Sequence, residues 1–304
     1  MKPKIVVVGS SNTDMICRVP HIPRPGETIL GSDFLTVQGG KGANQAVAAS
    51  RAGADVIFIS CVGDDAFGQQ SIESYRKDGI DTTHIKVQAG THSGIALINV
   101  ADDGENSIAV APGANSHLLP GDIGDLMEVF KGAKIILVQL EVPLATVETV
   151  ASVARSLGIP MILNPAPAAS LSREILGSAA ILTPNETEAA LLTSRKTYTD
   201  NDIPLMAREL FDMGIPVVLL TMGSKGVYLK SAGFDGNVPG FKVQAVDTTA
   251  AGDVFNGALA AALAGEMPLP EAIAFAQKAS AISVTRMGAQ PSAPYLKEIL
   301  KFNE

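Results

Sequence analysis

The chain has 304 residues, 46% hydrophobic and 18% charged, which is enough apolar material for one large core. Its 23 Lys and Arg stand against 31 Asp and Glu, a formal net charge of -8. An acidic chain with no dense basic run repels phosphate backbones, so nucleic acid is excluded as an expected partner. Cys17 and Cys61 stand in no metal or redox spacing, and the four histidines form no metal motif. No apolar run approaches the roughly 18 residues of a membrane span, and Ile5–Val8 is too short for a secretory signal. The expectation is a soluble, cytoplasmic protein.

In chain order, Ile5–Val8 reads as a buried strand ending at the turn residues Gly9, Ser10 and Ser11. Residues 15–38 are rich in Pro, Gly and Thr and alternate polar with apolar, as in Thr28–Leu30 and Phe34–Val37. Ala43–Ala52 is a small-residue helix, Val56–Val62 a strand, and Ala66–Lys77 an amphipathic helix closed by Gly79. Residues 93–111 alternate again, across the turn Asp102-Asp103-Gly104. Ile135–Leu140, Met161–Leu163, Ala180–Leu182 and Val217–Thr221 are further strands, with helical stretches near 144–157, 186–193 and 203–213 between them. Continuous apolar strands spaced by helices predict a mostly parallel sheet covered on both faces, an α/β layer structure. The two alternating stretches read as antiparallel strands with one wet face, either a flap beside the main sheet or ordinary edge hairpins.

Chemistry concentrates in a few segments. Asp247-Thr248-Thr249-Ala250-Ala251-Gly252-Asp253 precedes a helix-forming run, Phe255–Leu263. Small residues before a helix leave its first N–H groups open to an anion, and the helix dipole adds to the attraction. Asp253 is either the cap of that helix or a general base beside an anion hole. Thr221-Met222-Gly223-Ser224-Lys225-Gly226 follows a strand, where ligands bind in open α/β sheets, although a plain turn explains it as well. Neither a Walker A loop nor a dinucleotide fingerprint occurs. Gly39-Gly40-Lys41-Gly42-Ala43-Asn44 is a tight turn or a hinge, with Lys41 and Asn44 able to reach a sugar hydroxyl. Asn185 and Glu188 share a helix face, fit either for capping or for hydrated Mg²⁺. Asn12, Asp14 and Glu141 add polar groups after strands, which together make a plausible sugar site.

Taken in order, these segments resemble the pfkB, or ribokinase, family of carbohydrate kinases. Gly39–Asn44 is similar to its N-terminal signature, Asp247–Asp253 to its C-terminal signature, and Asn185–Glu188 to its N-x-x-E motif. Gly9–Asp14, Gln45–Ala49, Asn164–Ala168 and Val284–Ser292 extend the likeness to the ribokinase branch, and it covers essentially the whole chain. The resemblance implies a three-layer α/β/α sandwich over residues 1–304, with a small β-sheet lid from insertions at about 15–38 and 93–111. It implies ATP-dependent phosphorylation of the 5-hydroxyl of D-ribose. Asn12, Asp14, Gly40, Lys41, Gly42, Asn44 and Glu141 would hold the sugar. Asp253 would be the general base, with the amides of Ala250, Ala251 and Gly252 as anion hole. Thr221 to Gly226 would line the nucleotide, with Gln277 near the adenine or its ribose. Asn185 and Glu188 would organise Mg²⁺ through water. An activating K⁺ would sit among Asp247, Thr249, Ser283, Arg286, Gly288 and Ser292. Lids of the family pair, so a homodimer is expected. The alternatives are a kinase of the same family for 2-deoxyribose, another small sugar or a nucleoside, and a sugar- or nucleotide-binding regulator without catalysis.

Overall fold

The computed structural model describes residues 2–302. In chain order the strands are β1 Lys4–Val8, β2 Asn12–Val19, β3 Phe34–Gly39, β4 Asp55–Gly63, β5 Ile85–Gln88, β6 Gly94–Ala101, β7 Asn106–Ala111, β8 Ile135–Val138, β9 Met161–Leu163, β10 Ile181–Leu182, β11 Val217–Thr221, β12 Val227–Ser231 and β13 Asp235–Val238. Nine of them form one sheet in the order β13-β12-β11-β10-β9-β8-β1-β4-β5. It is parallel from β11 to β5, and only β12 and β13 run against their neighbours. The expected α/β layers are therefore present. Residues Ile5 to Val8 of β1 are fully buried because β1 lies inside the sheet with a core on each face. Burying a side chain of that size contributes roughly 1.5–3 kcal/mol.

One core lies beneath helices Lys41–Arg51, Ala251–Ala264 and Leu269–Ser283, the other beneath Leu144–Leu157 and Ile203–Asp212. Helix Leu269–Ser283 has no counterpart among the helices expected from periodicity. Its small and apolar residues surround the axis, so no single stripe marks it in the sequence. No helix among the described residues is long and apolar enough to cross a membrane.

The two alternating stretches meet in one four-stranded sheet, β3-β2-β6-β7. The pairs β2/β3 and β6/β7 are antiparallel, as expected, but β2 and β6 are parallel. The chain leaves this sheet after β3, passes through the core, and re-enters at the same end. Asn12 therefore pairs with both Gly39 and Gly94. Thr28–Leu30 carries no strand, and Leu30 is 89% exposed. Pro20, Pro23 and Pro25 withhold ladder donors from this stretch.

The glycines at 39–42 have a packing reason. A side chain at Gly39 would overlap the Asp14 carboxylate. Gly40 has a φ of +89°, and a Cβ there would lie 2.7 Å from the Asn12 nitrogen. A Cβ at Gly42 would lie 2.5 Å from Gly9 and Ser10 backbone atoms. The turn before helix Lys41–Arg51 thus lies backbone against backbone on the turn after β1.

The same helix is approached from its other side by Ala251–Ala264. A Cβ at Gly257 would lie 2.5 Å from the Gln45 carbonyl oxygen and 2.6 Å from the Ala48 Cβ. Alanine at a mid-helix glycine gains about 1 kcal/mol in propensity. Forcing a methyl into a closed contact costs typically 1–3 kcal/mol. Gly257→Ala is therefore expected to lower stability by up to about 2 kcal/mol net, measured by denaturant melts against the wild type.

Candidate active site

The helix Ala251–Ala264 begins at Ala250, whose φ of 58° is left-handed for a residue with a side chain. The Ala251 N–H donates to the Thr248 carbonyl at 3.2 Å. Of the expected Ala250–Gly252 amides, those of Ala250 and Gly252 have no acceptor among the described residues, and neither does that of Asp253.

Asp253 stands in this first turn and is buried. Its Oδ2 accepts from Asn44 Nδ2 and its Oδ1 from Gln45 Nε2, both at 2.9 Å. It accepts no bond from its own helix's amides, so it is not the cap of that helix. Burial pushes its carboxyl upward, against the Lys41 charge and the Asn44 and Gln45 donors, which favour the anion.

Lys41 opens helix Lys41–Arg51. Burial works against its charge, but the carboxylates of Asp253, Glu141, Glu188 and Asp14 outweigh it and hold the ammonium above its usual range. Glu141 Oε2 accepts from the Lys41 amide at 2.9 Å and from the Ser10 hydroxyl at 2.5 Å. It thereby takes the first orphan donor of the helix. Asn12 Oδ1 accepts from Asn115 Nδ2 at 2.7 Å, and Asn115 also pairs with the Ser11 backbone. Asp14 is pushed up to about 6 by burial first, then by Glu141 and Asp253, against Lys41. One cleft thus joins Asp14, Lys41, Asn44, Glu141, Glu188 and Asp253 from five separate parts of the chain.

Beyond Gly252 lies a cavity of about 320 Å³. It is lined by Thr221, Gly223, Ser224 and Gly226, by Ala251 and Gly252, and by Phe255 and Gln277, among others. Gln277 donates to the Val238 carbonyl at 3.1 Å. Met222 and Lys225 do not line it. Met222 packs on the core, and the Lys225 ammonium lies 2.7 Å from both carboxylate oxygens of Asp200 on the surface. The resemblance implies that the whole run Thr221–Gly226 lines the nucleotide, but the short 3-10 turn at Gly223–Lys225 sends these two side chains elsewhere. Phe241 and Lys242, which also line the cavity, lie in an irregular stretch that carried no signal.

Asn185 and Glu188 form a reciprocal capping box. Glu188 N–H donates to Asn185 Oδ1 at 2.8 Å, and Glu188 accepts from the Asn185 amide and side chain at 2.9 and 3.0 Å. Burial nevertheless pushes the Glu188 carboxyl upward, against the Asn185 bond and the Lys41 charge. Asp247 ties two loops together, accepting from the Thr249 amide at 2.9 Å and the Gly288 amide at 2.8 Å. The Ser283 carbonyl accepts from the Arg286 amide at 3.0 Å, and the Ser292 hydroxyl donates to Ala289 O at 2.7 Å. The oxygen-only donors of this neighbourhood suit a hard cation.

Gln139, Asn164, Thr183 and Asn256 were given no role by their residue types, yet they lie buried behind Asp253. One signal was available. Gln139, Asn164 and Thr183 each sit one position past the end of adjacent parallel strands, β8, β9 and β10.

Residues 2–296 match the family model described as pfkB family carbohydrate kinase. The chain belongs to the pfkB family of carbohydrate kinases. It is 45% identical over 304 residues to a ribokinase of Haemophilus influenzae, covering 100% of this chain and 99% of that one. The solved ribokinase of Arabidopsis thaliana, complexed with ribose and ATP, has a TM-score of 0.92 at 34% identity and covers 100% of both chains. A deoxyribokinase of Salmonella typhi is 38% identical over 301 residues, covering 99% of this chain and 97% of that one.

The Asp14 environment has a thermodynamic consequence. Its folded value of about 6 lies above its ordinary 3.8, so the folded chain keeps a proton that the unfolded chain has already released. Asp14 therefore opposes folding increasingly as pH rises from about 4 to about 6, and fully above that. Asp14→Asn is expected to stabilise the protein by roughly 1–2 kcal/mol near pH 7.5, less than the full shift implies because the attraction to Lys41 is also lost. Melts at about pH 7.5 and about pH 4.5 check this, the gain shrinking at the lower pH.

Proposed function

We propose that the chain transfers the γ-phosphoryl group of ATP to the 5-hydroxyl of D-ribose, giving D-ribose 5-phosphate and ADP. The observation that carries this is the place of Asp253. Its carboxylate sits at free helix-end amides, between the polar cleft of Asn12, Asp14, Lys41, Asn44 and Glu141 and the cavity behind Gly252. Asn12, Asp14, Gly40, Lys41, Gly42, Asn44 and Glu141 line the pentose side, either by side chain or by close backbone. The cavity beside Thr221, Gly223, Ser224, Gly226 and Gln277 takes the nucleotide. A carboxylate in this position accepts the hydroxyl proton as the oxygen attacks phosphorus, while the Gly252 and Asp253 amides take up the developing charge. Lys41 adds fixed positive charge in the same cleft.

Mg²⁺ would be held through water near Asn185 and Glu188, offsetting charge on the phosphates. A K⁺ ion would suit the oxygen donors around Asp247, Thr249, Ser283, Arg286, Gly288 and Ser292. Use of ATP and two free cysteines fit a reducing, cytoplasmic setting.

We further read the four-stranded sheet as a lid that pairs with a second copy. The face carrying Asp14 also carries Ile16, Leu35, Ile98, Ile108 and Val110, by the register of the ladders. Leu35, Ile108 and Val110 are 49%, 56% and 51% exposed, a patch that favours a partner surface. Ile108→Lys is expected to turn a homodimer into a monomer on sedimentation.

Kinetics with ribose, 2-deoxyribose and adenosine test the substrate. Ribose is expected to give the highest kcat/KM, and a higher value for deoxyribose would overturn the assignment. Asp253→Asn is expected to lose about 10²–10⁴ in kcat with ATP binding kept. A binder without catalysis would show no sugar-dependent ADP release in the wild type.

A further inference from the structure

Asp253 is backed by a closed circuit of buried polar groups. Gln139 Nε2 donates to Gln45 Oε1 at 2.6 Å. Gln45 Nε2 then donates to Asp253 Oδ1 at 2.9 Å and to Asn164 Oδ1 at 3.0 Å. Asn164 Nδ2 donates to the Thr183 carbonyl at 3.1 Å. The Thr183 hydroxyl donates to Asn256 Oδ1 at 2.6 Å, and Asn256 Nδ2 donates to the Gly252 carbonyl at 2.8 Å. The path leaves the Asp253 side chain and returns to the backbone just before it.

Gln45 and Gln139 are fully buried, and Asn164, Thr183 and Asn256 nearly so. Buried amides destabilise a fold unless each is paired, and a hydrophobic set of the same shape would avoid that demand. Holding four such amides and a hydroxyl around one carboxylate needs a reason beyond packing. Resting on the kinase reading above, we propose that Gln45 is a positioning residue for phosphoryl transfer. Its amide, locked by Gln139 and Asn164, holds the Asp253 carboxylate aimed at the substrate hydroxyl. Asn44 holds the other oxygen, so the carboxylate can neither rotate nor withdraw.

The groups facing Asp253 are Lys41 from its helix, Glu141 beyond β8, Asp14 from β2 and Glu188 from helix Glu186–Leu192. Three of these acids favour a proton on Asp253, and Lys41 opposes it. Gln45 works with Lys41. Removing its donor therefore leaves the base protonated to a higher pH, so the acid limb of the kcat profile moves upward.

Gln45→Met keeps the bulk and deletes both donors. It is expected to lower kcat about 10- to 100-fold, to leave the ribose KM within about three-fold, and to move the acid limb up by about one pH unit. Gln45→Glu, which adds a carboxyl facing Asp253, moves the limb further. Gln139→Leu touches Asp253 nowhere, frees the Gln45 amide to turn, and is expected to shift the limb in the same direction by less. It decides the matter if the Gln45 variants do not fold. Folded variants with the wild-type kcat and acid limb overturn the proposal, as does a raised KM at unchanged kcat. A double-mutant cycle of Gln45→Met and Asp253→Asn on thermal melting reads the contact without substrate, and additive shifts also overturn it. A wild type that releases no ADP with ribose sinks the kinase reading instead, while the melting cycle still tests the contact.

Discussion

The site depends on how closely two helices cross. Helix Ala251–Ala264 lies against helix Lys41–Arg51 at Gly257, where a single methyl would strike the Gln45 carbonyl and the Ala48 side chain. Only at that separation do Asn44 and Gln45 both reach the Asp253 carboxylate. The glycines at 9, 40 and 42 do the same for the other end of the helix, letting its first turn lie on the turn after β1. Close backbone approach, not ligand contact alone, explains why these segments are rich in glycine. Catalytic geometry and core packing are here one constraint, since the residues that set the distance are buried.

That crossing concentrates charge where water is scarce. Lys41 stands among four carboxylates, and it is the burial of the acids that raises Asp14 and Asp253. Buried charges of one sign destabilise a fold unless they are compensated, and a single ammonium cannot compensate four. The excess negative charge is of a kind that the donor hydroxyls of a sugar would offset. Tension of this kind belongs to sites selected for turnover rather than for stability.

The small sheet is joined to the same cleft through β2. Asn12 and Asp14 belong to the site and also to the central part of that sheet, with Asn12 paired to Gly39 and Gly94. Asn115, just past β7, clasps Asn12 and Ser11 from the core side. Any movement of the sheet therefore moves Asn12 and Asp14 with it, which couples the candidate site to the position of the small sheet.

Local sequence carried a good deal of this. Ile5–Val8, Met161–Leu163 and Val217–Thr221 read as buried strands because buried parallel strands are apolar without a break. Asp253 and the small residues before it were visible because helix ends depend on local residues. The hydrogen-bonded circuit behind Asp253 was not. Gln45 and Asp253, bonded in it, lie 208 positions apart, and a lone Gln or Asn at a strand end is consistent with any exposed turn. The same holds for the parallel pairing of β2 with β6, which depends on where the intervening chain returns. Periodicity and turn chemistry are properties of neighbours along the chain, so the sequence by itself determined the layers and marked the segments that meet around Asp253. Which side chains share a hydrogen bond depends on how sheet and helices pack, and that only the tertiary structure decided.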